Sequence, residues 1–86
     1  MPNKNYINGR AKEYRIIHRL EKEGWYCIRS AGSHKAIDII AMRRSPDGII
    51  ELYCVQSKPK GGYLNPKERE EKERVENLLG ITIYVE

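Results

Sequence analysis

Residues 65–80, "NPKEREEKERVENLLG", carry both ends of a helix and lie between two β-rich runs. Asn65 can cap the first turn, Pro66 suits the first helical position, and Glu68 completes a capping box. Gly80 stops the helix. The run before it is "IIELYCVQSK" (49–58); the run after it, "ITIYVE" (81–86), alternates Ile81, Ile83 and Val85. Such a helix can serve as a right-handed crossover to a parallel strand. Upstream, "WYCIRS" (25–30) and "IDIIAM" (37–42) read as strands, and "SPDG" (45–48) marks a turn. Those three sequential strands suit an antiparallel meander. Residues 9–22 read as a first helix, with Ile16, Ile17 and Leu20 at helical spacing and Gly24 as its stop. The expectation is an α/β fold in the order αβββαβ, a mixed four-stranded sheet flanked by two helices.

The chain has 86 residues, so residues 1–86 are read as one domain. A chain this short buries only about 60–65% of its unfolded surface, and a second chain or a ligand would help it. With 33% charged and 40% hydrophobic residues it reads as globular, not disordered. No apolar run approaches a span of ~18 residues, and "MPNKNYINGR" lacks the apolar stretch of a signal peptide. No membrane role and an intracellular (cytoplasmic) location are expected. Cys27 and Cys54 show no CxxC spacing and read as two buried thiols. A net charge of +4 leans towards an anionic partner.

Asp38 stands inside a run of isoleucines, and Lys58 closes the next apolar run. A charge in such a place needs a partner or a task. Side chains two apart on a strand share a face, so Gln56 and Lys58 point with Ile50, Leu52 and Cys54. Glu13 precedes Ile16, Ile17 and Leu20 by three, four and seven residues and lies on the apolar stripe of its helix. Glu13, Asp38, Gln56 and Lys58 could therefore converge at one edge of the core. A single Asp–Lys pair would read as structural; four polar groups from three elements read as a site. Carboxylates with an amide oxygen suit Mg²⁺ or Mn²⁺, and nothing has the His/Cys spacing of a zinc site. A lysine beside such a metal can stabilise charge as water attacks a phosphodiester.

"NGRAKEYRIIHRLEKEGWYCIRSAGSHKAIDIIA" followed by "ELYCVQSK" resembles the archaeal Holliday-junction resolvases, members of the PD-(D/E)xK nuclease superfamily. The resemblance runs over residues 8–60. It implies a restriction-endonuclease-like fold and a homodimeric, Mg²⁺-dependent endonuclease acting on DNA, with four-way junctions as the family's substrate. Glu13, Asp38 and Lys58 take catalytic roles in that reading, and Gln56 stands where the family has an acid. Asp38 would ligate the metal with the Gln56 side-chain oxygen and a backbone carbonyl near Ser57, while Glu13 would bind it directly or through water. Tyr14 stands where resolvases often have arginine, and the chain stops at Glu86, where they usually continue. Two other readings are a non-catalytic DNA-binding relative of the same fold and a small interaction module with a structural polar cluster.

The expected DNA-binding residues are Arg10, Arg29, Ser33, His34, Lys35 and Lys60, with the Ser30–Lys35 loop beside the DNA. Ser33, His34 and Lys35 precede Asp38 and could hold a phosphate near the metal. Gly61 and Gly62 would let the loop after Lys58 move over DNA. Lys12, Arg15, Arg19 and Lys22 form a basic stripe opposite the Glu13 face and read as solvated surface. The charged first half of helix 66–79 is expected in solvent or against a partner chain.

Overall fold

The computed structural model describes residues 4–30, 35–58 and 64–86, with side chains from residue 10 onward. Helix α1 (Lys4–Lys22) leads into strands β1 (Tyr26–Arg29), β2 (Ile39–Arg44) and β3 (Ile50–Gln56). Helix α2 (Pro66–Leu79) then crosses to β4 (Ile83–Val85). The sheet order is β1-β2-β3-β4; the first three strands are antiparallel neighbours and β3 pairs with β4 in parallel. This is the αβββαβ order and the mixed four-stranded sheet that the sequence implies.

The helices occupy opposite faces because the strand residues alternate. Ile16 and Leu20 of α1 bury against Ile39, Ala41 and Val55, with Trp25, Cys27 and Tyr53 at the margin. Ala36, Cys54 and Ile83 form the second cluster, met by Val75 of α2. Ile39, Val55 and Ile83 are the largest fully buried side chains, each stabilising by roughly 1.5–3 kcal/mol. The α2 ends are as read: Asn65 accepts from the Glu68 amide at 2.8 Å, and Gly80 takes φ 66°, open to glycine without cost.

Several expectations are corrected. α1 extends through Lys4, well before residue 9, and β2 runs two residues past Met42 because Arg43 and Arg44 pair with Glu51 and Ile50. Lys58 lies beyond β3, yet its amide donates to Glu86 O at 2.7 Å and so prolongs the β3–β4 ladder. Ile50 and Leu52 share the phase of Cys54 but are 59% and 51% exposed, since α2 shelters only the Cys54–Ile83 end of that face. Cys54 is buried, whereas Cys27 is only half-buried. The α1 basic stripe is exposed at Arg15, Arg19 and Lys22, as expected, but two of its members also bond to the end of the sheet. Lys12 Nζ donates to the Lys58 carbonyl, and Arg19 makes two bonds to the Glu86 carboxylate at 2.8 and 3.0 Å. Tyr53 donates its hydroxyl to the same carboxylate at 2.9 Å. α1 thus clasps the end of the sheet through its long cations, which snorkel across the surface.

Candidate active site

The β2–β3 register sets Ile39 against Val55, which brings Asp38 beside the end of β3. The Asp38 amide donates to Val55 O at 2.8 Å, and its carbonyl accepts from Ser30 N at 2.8 Å. Its side chain is held as well, because the Ser57 amide donates to Asp38 Oδ2 at 2.8 Å. Burial pushes the Asp38 carboxyl above the usual aspartate range. The Ser57 bond and the charges of Lys58 and Arg29 oppose that rise, and the Glu13 charge adds to it.

Gln56 is 5% exposed, and its Oε1 has no hydrogen-bond partner among the described residues. An unpaired buried oxygen of this kind costs roughly 1–3 kcal/mol. Glu13 reaches the same region from α1 and accepts from Arg29 Nε at 2.8 Å. Lys58 Nζ is ion-paired with Glu68. That pairing, with a second bond from the Asn65 amide, lowers the Glu68 carboxyl below its usual range. One cavity of about 650 Å³ is lined by Glu13, Asp38, Gln56, Ser57 and Lys58, together with Lys35 and Ala36.

The far wall is the first half of α2, which stays largely in solvent as expected and buries no residue. Asn65, Lys67, Glu68 and Glu71 line the cavity. Glu68 is legible in the sequence as a cap, but its reach to Lys58 follows only from how the crossover returns. Of the residues expected to meet DNA, Ser33, His34 and Lys60 lie outside the described residues, as do Gly61 and Gly62. Lys35 lines the cavity. Arg29 pairs with Glu13, and Arg10 and Arg29 face the Tyr14 ring at 5.6 and 5.4 Å. A hydrogen bond to Arg10 and its charge lower the Tyr14 hydroxyl from its ordinary value.

No three His, Cys, Asp or Glu side chains among the described residues gather closely enough to hold a metal alone. The oxygen donors that line the cavity include the fixed Asp38 carboxylate and the Gln56 amide oxygen, which has no partner among the described residues. That hard-oxygen set fits Mg²⁺ or Mn²⁺, since Mg²⁺ keeps several waters and needs only one or two carboxylates.

The chain is similar to the crossover junction endodeoxyribonuclease Hjc of Methanocaldococcus jannaschii, with 38% identity over 77 residues, 90% of this chain. The chain spans about half, 51%, of the length of that relative. No family model matches the chain, and no solved structure matches it significantly. Among the described residues no helix is long and apolar enough to cross a membrane.

Proposed function

We propose that this chain is a DNA endonuclease of the archaeal Holliday-junction resolvase family, hydrolysing phosphodiester bonds with Mg²⁺ or Mn²⁺ at the Asp38–Gln56 cavity. The observation that carries the reading is the buried Gln56 Oε1, without a hydrogen-bond partner among the described residues, in a cavity also lined by the Asp38 that Ser57 fixes. The similarity to a crossover junction endodeoxyribonuclease supports the same substrate class, branched DNA.

When bound, the metal would supply an activated water and polarise the scissile phosphate. Asp38 and the Gln56 oxygen would hold it, with the backbone carbonyl near Ser57. Glu13, kept at the rim by Arg29, would orient bound water. The Lys58 ammonium would stabilise the charge that grows on the phosphate oxygens. Lys35 and Lys67 on the cavity wall would take neighbouring phosphates.

A homodimer belongs to the same proposal. Tyr26, Met42 and Leu52 are in register across β1, β2 and β3 on the face away from α1. Tyr26, Ile28, Ile50 and Leu52 on that face are between 46% and 68% exposed. A second copy seated there would cover apolar surface that the single chain leaves in water.

The test is cleavage of four-way junction, flap, single-stranded and linear duplex DNA, each with Mg²⁺ and with Mn²⁺. Metal-dependent cutting that favours the junction is expected. Metal-independent binding without cutting would instead favour the non-catalytic relative.

A further inference from the structure

The carboxylate that touches Lys58 is one that the nuclease pattern does not use. Position 56 is a neutral glutamine, Glu13 is engaged by Arg29, and Asp38 by the Ser57 amide. The partner of the Lys58 ammonium is Glu68 Oε2. Glu68 is itself fixed twice over. Its Oε1 accepts from the Asn65 amide at 3.1 Å, and its own amide donates to Asn65 Oδ1 at 2.8 Å. Lys58 is also held at its backbone, where its amide meets Glu86 and its carbonyl meets Lys12.

We infer that Glu68 is the positioning residue for Lys58, setting its ammonium on the cavity wall. A lysine stem is flexible and its ammonium strongly hydrated, so a catalytic lysine needs a fixed counter-charge to stay aimed. The first turn of α2 provides one, because the capping box locks the Glu68 rotamer while leaving Oε2 for Lys58. The helix cap and the aim of the lysine are one structure. The consequence for cleavage rests on the nuclease reading; the positioning itself does not.

Glu68→Gln is the discriminating variant. Glutamine can keep the capping box, so the fold should persist with only a small fall in melting temperature, while the ion pair is lost. Two readouts follow. In ¹⁵N-lysine-labelled protein, a held ammonium resonance that disappears in Lys58→Arg should also disappear in Glu68→Gln. Single-turnover cleavage of junction DNA should fall about tenfold or more, as expected for a misplaced catalytic group, with DNA affinity in Ca²⁺ unchanged. Retention of the resonance in Glu68→Gln would overturn the inference. So would cleavage that is unchanged, or faster, as it would be if Glu68 merely restrained Lys58. If the resonance is lost as expected but the parent cuts no DNA, the nuclease reading fails while the positioning stands.

Discussion

The Ser57 amide donates to the Asp38 carboxylate at 2.8 Å, joining the start of β2 to the residue after β3. That bond fixes an acid whose charge the fold otherwise disfavours. Burial raises the Asp38 carboxyl, so the folded chain keeps its proton to a higher pH than the unfolded chain. Stability is therefore lost as pH rises from the unfolded value through the raised folded one, and the deficit is full above it. Asp38→Asn should melt higher than the parent near pH 7, with the gap closing near pH 4. Calorimetry across that range checks it; a variant less stable than the parent at neutral pH would contradict the assignment.

Glu86 behaves in the opposite sense. Arg19 chiefly, and then the Tyr53 hydroxyl, hold its carboxyl below the usual glutamate range against a cost of burial. The stability it contributes is present above the unfolded glutamate value and lost as pH falls through the lowered one. Because Arg19 is half exposed, Glu86→Gln should cost no more than about 1 kcal/mol in urea unfolding at neutral pH. The cost should vanish in acid.

The alternation along β3 shows what the sequence could and could not disclose. Period two correctly groups Gln56 with Cys54, and both are buried. The same period groups Ile50 and Leu52 with them, yet those two are exposed, because parity identifies a shared face and not how far a helix covers it. The capping box at Asn65 and Glu68 is local and was legible. The Glu68–Lys58 and Glu13–Arg29 pairs depend on how α2 and α1 return to the sheet, which no local pattern encodes. Arg19 is exposed as expected, but the bonds that Lys12 and Arg19 make to the end of the sheet were not legible, for a related reason. Helical spacing gives the angle of a residue on α1 but not the reach of its long side chain.

The exposed face of β1–β3 predicts assembly. Light scattering should give about twice the chain mass at micromolar concentration. Leu52→Glu should shift the protein to monomer with little loss of monomer stability, because Leu52 is 51% exposed. A parent that is monomeric at every concentration would leave the cavity chemistry standing and remove the second copy.

Lys58 separates binding from chemistry. Lys58→Ala should lower cleavage by at least ~100-fold, about 2.7 kcal/mol of transition-state stabilisation. DNA affinity should change far less, since one phosphate contact among many is a small part of binding. Equal losses in both would make Lys58 a binding residue only.

We propose that Asp38 and the Gln56 oxygen form a hard-oxygen metal site. Its most direct measurement is cleavage rate against metal concentration for the parent, Gln56→Glu and Asp38→Asn. The parent should need millimolar metal and work better with Mn²⁺, because its amide ligand brings no charge. Gln56→Glu should shift the dependence to lower metal, and Asp38→Asn should abolish cleavage. An unchanged metal dependence in Gln56→Glu would remove Gln56 from the site. Asp38→Asn cutting as well as the parent would contradict the whole assignment.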